Sequence, residues 1–240
     1  MRDDTLTPMA ALPTYLRIAE TLSIDIGAGR LAEGDRLPPE RQFAAEHGVS
    51  VTTLRKALKL LEDRRLIARR HGSGNYVTGA EDRVSTYALF RLERVDTGGG
   101  FPTADLISFR KTSKPDSLPS LGSPATEAWN IRRLRHLDGL AVAVEDIWLD
   151  GRFGPDLRAE HLSQSLYRSY RDRLGLTILR AEDRISLGPC PDWAPSDLMR
   201  ADHTQMGLVE RTAFDEYGTV AEISTTWFDP SRARYVARSS

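Results

Sequence analysis

Arg133 and Arg135 alternate in what reads as one strand, and Glu145 follows in the next, across Leu137-Asp138-Gly139. Two guanidiniums and a carboxylate on one face would suit a small ligand with one anionic end and donor groups at the other, because planar guanidinium forks match carboxylate and phosphate oxygens. Whether the three meet depends on the hairpin between them. A two-residue Asp138-Gly139 turn sets Arg132 opposite Glu145, an ordinary exterior pair. A three-residue loop with Gly139 left-handed shifts the pairing by one and brings Arg133, Arg135 and Glu145 together. Spacing alone leaves both open.

A second chemistry is electrostatic. From Val51 to Arg70 the chain carries Arg55, Lys56, Lys59, Arg64, Arg65, Arg69 and Arg70 against Glu62 and Asp63, a local excess of five positive charges in a chain of net charge -1. Neutralising phosphates needs a local patch, not a basic protein. A solvated helix face is the plain reading; its overlap with a helix-turn-helix spacing favours nucleic acid. Catalysis has little support. Ser165, His161 and Glu145 could be assembled into a catalytic story, but no nucleophile and base stand at a recognisable spacing. His136, His161 and His203 are too scattered for a metal triad. Cys190, between Pro189 and Pro191, is the sole cysteine, which leaves no disulfide framework or cysteine-based zinc site within one chain. No metal and no cofactor are expected.

The elements that would position these residues read as follows. At 240 residues the chain has room for two domains. Residues 1–12 lack periodicity and read as a flexible tail. Tyr15, Ile18, Leu22 and Ile26 predict an amphipathic helix over 13–28, stopped at Gly29. Pro38-Pro39-Glu40 opens a second helix, proline being tolerated where its missing N–H has no partner to lose. Gly48 permits a tight turn, and Ser50 caps a third helix that buries Leu54, Ala57, Leu58 and Leu61 and turns Val51, Thr52, Arg55 and Lys59 outward. A basic hairpin then folds about His71-Gly72-Ser73-Gly74. That is the layout of a winged helix-turn-helix, over residues 13–78.

Residues 79–90 are polar at their start and read as a linker. Beyond them, 84–95 alternate loosely, Gly98-Gly99-Gly100 make a loop, and Ala104 to Arg110 is a strand. Trp129 to His136 and Ala141 to Leu149 form the clearest strand pair. A helix is expected over Ser163 to Leu174, a strand over Thr177 to Ser186, a short helix near Pro195 to Arg200, and a final hairpin over Gly207 to Asp215 and Val220 to Phe228. Helices among antiparallel hairpins predict an α+β second domain over 91–240. No apolar run approaches the roughly 20 residues of a membrane span, and the first residues lack a signal-peptide pattern, so no membrane association and a cytoplasmic location are expected.

Leu37-Pro38, Glu40-Arg41, Val49-Ser50, Thr52-Thr53, Arg55-Lys56-Ala57-Leu58, Leu61 and Gly72-Ser73-Gly74 resemble the DNA-binding domain of GntR-type bacterial transcription regulators. The resemblance implies contacts to double-stranded operator DNA from Arg41, Ser50, Thr52, Thr53, Arg55, His71, Gly72 and Ser73, with Arg41 on a phosphate, Arg55 in the major groove and His71-Gly72 in the minor groove. Val51 stands where the family commonly has a guanine-reading arginine, so an altered operator is expected at that base. From about residue 91 onward the chain is similar to the UTRA effector domain of the HutC subfamily, whose fold is like that of chorismate lyase. Arg133-x-Arg135 before Asp138-Gly139, Glu145, Ser165-Leu166-Tyr167 and Glu222 carry this second resemblance. It implies an effector site of Arg133, Arg135, Glu145, Ser165, Tyr167, Glu222 and Phe228, the last standing where the family often has tyrosine. The expected ligand is a small anionic metabolite: a sugar phosphate, a phosphonate or a carboxylate. The resemblance further implies a homodimer on a palindromic operator, a repressor released by its effector. The alternative is an enzyme with a chorismate lyase-like second domain. A fused pyridoxal-phosphate domain is excluded by length, and no lysine follows Lys114.

Overall fold

A computed structural model describes residues 13–27, 29–70, 72–78, 89–124, 126–196, 198 and 205–238. The expected tail, His71, His203, most of the expected linker and part of the expected helix near 195–200 lie outside them. The chain divides into two compact units between Arg91 and Leu92, and Ala237 and Arg238 group again with the first.

The first unit contains α1 (Thr14–Gly27), α2 (Glu40–Glu46), α3 (Val51–Asp63) and a hairpin of β1 (Ile67–Arg70) and β2 (Gly74–Val77). Ile18 and Leu22 of α1, Phe43 and Ala44 of α2, and Leu54, Ala57, Leu58 and Leu61 of α3 share one core with Ile67 and Val77 of the hairpin. Gly48, at φ 62°, makes the turn between α2 and α3. The Ser50 side chain accepts from the Thr53 N–H at 3.1 Å, a cap that contributes about 1 kcal/mol. Val51 differs from expectation. It is half-buried against this core, because the first helical residue faces back toward the packed side, and Thr52, Arg55, Lys56 and Lys59 remain outward.

The second unit is built on a six-stranded antiparallel sheet in the order β4-β5-β6-β9-β8-β7. The strands are β4 (Pro102–Ser113), β5 (Glu127–Leu137), β6 (Leu140–Asp150), β7 (Arg180–Gly188), β8 (Met206–Phe214) and β9 (Val220–Phe228). A two-stranded ribbon of β3 (Leu92–Arg94) and β10 (Ala233–Tyr235) stands apart from it. The helix expected over 163–174 is instead a short α4 (Leu166–Ser169) running into a π turn over Tyr170–Leu174 that ends at the left-handed Gly175. Strand β7 begins three residues later and ends two later than the expected Thr177–Ser186.

The β5–β6 hairpin combines both expected alternatives. Asp138 and Gly139 form a two-residue turn with φ of 50° and 82°, the mirror-image geometry that suits strand twist, and Leu137 faces Leu140. A β-bulge then shifts the register between His136↔Ala141 and Arg135↔Ala143, so that Arg133 faces Glu145. The turn is the shorter one, and the inserted residue Val142, not a longer loop, moves the arginines onto the carboxylate's face.

Candidate functional site

Directly paired residues in an antiparallel sheet point to the same side. The register therefore puts Arg133 and Arg135 of β5, Glu145 of β6, Glu222 and Phe228 of β9 and Arg211 of β8 on one face. Arg133 donates from Nε and Nη2 to Glu145 Oε2 at 3.0 and 2.6 Å, and Arg135 Nε lies 3.7 Å from Oε1. Burial would raise the Glu145 carboxyl, but the two arginine charges outweigh it and hold its pKa below the ordinary 4.5. Both guanidiniums are buried, and Arg133 Nη1 has no hydrogen-bond partner.

The segment from Gln164 to Tyr170 covers this face. Arg135 Nη1 donates to the Gln164 carbonyl at 3.2 Å. Ser165 is buried, and its hydroxyl makes no cap bond to α4, so capping does not account for it. Tyr167 and Tyr170 donate to the two Glu222 oxygens at 3.1 and 2.7 Å. Burial, and then the Glu222 charge, push both phenols far above their ordinary range, which keeps them as donors. Glu222 is raised, because burial outweighs its tyrosine bonds and the Arg133 and Arg211 charges. The two carboxyls thus separate: Glu145 is an ionised acceptor, Glu222 a group that holds its proton longer.

Of the seven expected residues, Arg133, Arg135, Glu145, Glu222 and Phe228 share this face of the sheet, Tyr167 reaches it through Glu222, and Ser165 is buried in the covering segment. Sequence reading missed Tyr170, Arg211 and Asp183. Arg211 donates to both Asp183 oxygens at 2.6 and 2.7 Å, and its charge acts on the Tyr167 phenol. Its signal was the alternation Gly207-Val209-Arg211-Ala213 along β8, which becomes readable only once the partner strand fixes the face. Phe228 stacks over Gly207, whose hypothetical Cβ would lie 2.2 Å from the ring; only glycine leaves room for it.

The first unit presents a different surface. A groove of about 370 Å³ between the start of α2 and the hairpin is lined by Arg36, Arg41, Arg69, Arg70 and the backbone of Gly72 and Gly74. Four guanidiniums on one concavity suit phosphate oxygens. Arg70 lies over the Tyr76 ring at 4.5 Å, and Ser73 Oγ is 2.7 Å from the Tyr76 hydroxyl, so Tyr76 holds the hairpin's basic side. Gly72, at φ 71°, forms the tip. On α3, Arg55 and Thr52 are exposed, while the Thr53 hydroxyl is 2.8 Å from Ser50 Oγ. Glu40, absent from the expected contacts, accepts from Arg55 Nε at 2.6 Å.

Among the described residues no helix is long and apolar enough to cross a membrane. Residues 14–77 match the gntR family of bacterial regulatory proteins and residues 97–234 match the UTRA domain. The chain is 46% identical to the HTH-type transcriptional regulator SmoD of Agrobacterium fabrum, over 95% of this chain and 97% of that one. It is 29% identical to the mannosyl-D-glycerate transport/metabolism system repressor MngR of Escherichia coli, over 74% and 75%, and 24% identical to the HTH-type transcriptional repressor NagR of Bacillus subtilis, over 96% of each. In fold it is similar to the transcriptional regulator YydK from Bacillus subtilis, with a TM-score of 0.55 at 19% identity over 95% of this chain and all of that one. It is also similar to the ligand-binding domain of a GntR-family regulator from Bordetella bronchiseptica, with a TM-score of 0.57 at 18% identity over 62% and 96%. These matches favour regulation over the enzyme alternative, and the chain belongs to the GntR family of ligand-responsive, DNA-binding transcription regulators, with a UTRA domain following its helix-turn-helix.

Proposed function

We propose that the protein is a cytoplasmic homodimeric repressor that leaves a palindromic operator when a small anionic metabolite occupies the face of Arg133, Arg135 and Glu145. Residues 13–78 serve as the DNA-binding domain and 91–240 as the effector domain. Arg41 and its groove take phosphates, Ser50, Thr52, Thr53 and Arg55 address the major groove, and His71, Gly72 and Ser73 the minor groove. One observation carries the effector assignment: the buried Arg133 guanidinium holds Glu145 through Nε and Nη2 while its Nη1 has no hydrogen-bond partner, with Arg135 3.7 Å from the same carboxylate. A buried donor without a partner is unfavourable, and an anion at Arg133 Nη1 relieves it. Ser165 completes the anion end; Tyr167, Glu222 and Phe228 form the other.

Glu145 accepts and Glu222 with its tyrosines can exchange hydrogen bonds, which suits a ligand carrying hydroxyls opposite its anion. The relative MngR is named for mannosyl-D-glycerate, a sugar acid of that type. We therefore favour a glycosyl carboxylate or similarly acidic sugar over a simple phosphonate. The experiment is a titration of acidic sugars, sugar phosphates and phosphonates, read by thermal shift and by release of operator selected from a random pool. Arg133→Ala with Arg135→Ala is expected to keep operator affinity and lose at least a hundredfold in effector affinity, since each charge-assisted contact contributes roughly 1.5 to 3 kcal/mol. A double variant that responds like wild type would move the site elsewhere.

A further inference from the structure

Arg55 and Glu40 lie 15 positions apart in sequence yet form the shortest ion pair of the helix-turn-helix that involves an outward residue of α3. Glu40 is the first residue of α2, and its side chain is only 20% exposed, whereas the Arg55 side chain is 63% exposed. The bond uses Arg55 Nε, the inner edge of the guanidinium. The other Glu40 oxygen lies 3.9 Å from Arg69 Nη2. Reading a guanine takes two parallel donors aimed at O6 and N7, and a guanidinium anchored through Nε keeps its two terminal nitrogens for that task. A free arginine on a helix must give up its rotamer freedom when it docks; one already anchored gives up less. A carboxylate beside four arginines of a phosphate groove opposes non-specific attraction, so its presence there weakens DNA binding in general while it can favour one sequence in particular.

We propose that Glu40 is a positioning residue for operator specificity: it orients Arg55 and lowers affinity for wrong sequences. This rests on the reading of Arg55 as a groove-facing residue. Full-length wild type, Glu40→Gln, Glu40→Ala, Arg55→Ala and the Glu40→Ala/Arg55→Ala double variant would each be incubated with a random-sequence duplex pool, and their affinities for wild-type-enriched and unselected DNA measured at fixed salt. Glu40→Ala is expected to raise affinity for unselected DNA yet reduce the ratio of enriched to unselected binding by about tenfold per half-site, with discrimination lost at the one base pair that Arg55→Ala also relaxes. Glu40→Gln keeps an oxygen that accepts from Nε and should fall between wild type and Glu40→Ala. In the double variant the ratio should drop no further than in Arg55→Ala. If Glu40→Ala strengthens binding to both DNAs equally and enriches the wild-type motif, the carboxylate is only a repulsive charge and the positioning role is overturned. A wild type that enriches no motif overturns the recognition reading, and the positioning role with it; a wild-type motif unaffected by Arg55→Ala overturns the role of Arg55 alone as the group positioned.

Discussion

Gly207 and Phe228 show how much a single missing side chain can decide. The Phe228 ring occupies the space above Gly207, and a methyl there would approach ring carbons to between 2.2 and 2.6 Å. Gly207→Ala must displace the ring, an overpacking that costs about 1 to 3 kcal/mol, and denaturant unfolding of the variant should report that loss together with a weaker effector response. The two buried glutamates make a prediction of opposite signs. Glu145 has its pKa lowered, so its contribution is present above the ordinary value of 4.5 and disappears as the pH falls through the lowered one. Glu222 has its pKa raised, so the fold favours its proton, and stability falls as the pH rises from 4.5 through the raised value. Unfolding midpoints measured upward from pH 4.5 should therefore decline more in wild type than in Glu222→Gln, which stays neutral throughout. Equal slopes would mean that Glu222 is ionised without penalty in the fold.

The β5–β6 hairpin is the element on which the proposed effector face depends. Asp138 adopts φ 50° and its carboxylate accepts from the Phe101 N–H at 3.0 Å. Asp138→Ala keeps the strained backbone and loses the acceptor, and is expected to destabilise the second domain by roughly 1 to 3 kcal/mol; Asp138→Asn retains an oxygen and tolerates the left-handed region, so it should cost less. Chemical denaturation of both variants checks this, and equal losses would remove the carboxylate oxygen from the account. The same hairpin shows what the sequence could and could not say. Leu137-Asp138-Gly139-Leu140 states where the chain turns but not how many residues the turn takes, and the polar alternation of Arg133 and Arg135 states a face. The bulge has no such signature: Ala141-Val142-Ala143 is a run of small apolar residues, all compatible with either face, so no pattern marks which is extra. Helix α3 was legible because charge, cap and apolar stripe agree along one element. Val51 was misread because a residue at the first helical position is placed by the packing of α1 and α2 as much as by helical period. The segment 163–174 was read as one helix because its apolar spacing allows it; the serine hydroxyls at 163 and 169, bonded to each other and to the Ser165 carbonyl, and the Tyr170 bond to Glu222 hold it in a shorter helix and a wider turn.

At the scale of the chain, the ribbon of β3 and β10 stands where the backbone passes between the two units, at Arg91–Leu92 and again at Val236–Ala237. Only three residue pairs join its strands, so its order must come from what ties it to the large sheet. Arg94 of β3 lies 3.5 Å from Asp138 in the β5–β6 turn, and two further ties lie on the β10 side. Near the bulge of β6, the Val142 carbonyl accepts from the Asp229 N–H at 2.9 Å and the Ala141 carbonyl from Arg232 at 2.8 Å, so the irregularity that sets the arginine register also anchors the approach to β10. At the other end, the Tyr235 hydroxyl donates to Asp183, the carboxylate that Arg211 holds. A hydrogen bond to a charged group contributes roughly 1.5 to 3 kcal/mol, which is large against a three-pair ribbon. Tyr235→Phe removes the hydroxyl and leaves Asp183 paired with Arg211, so the sheet should be spared and the ribbon loosened. Amide hydrogen exchange is expected to quicken by about tenfold or more in Leu92–Arg94 and Ala233–Tyr235 while β8 and β9 exchange as before. Unchanged ribbon protection would assign its order to contacts other than the Tyr235 hydroxyl, and faster exchange throughout β8 would show that Tyr235 supports the Arg211–Asp183 pair and the proposed effector face itself.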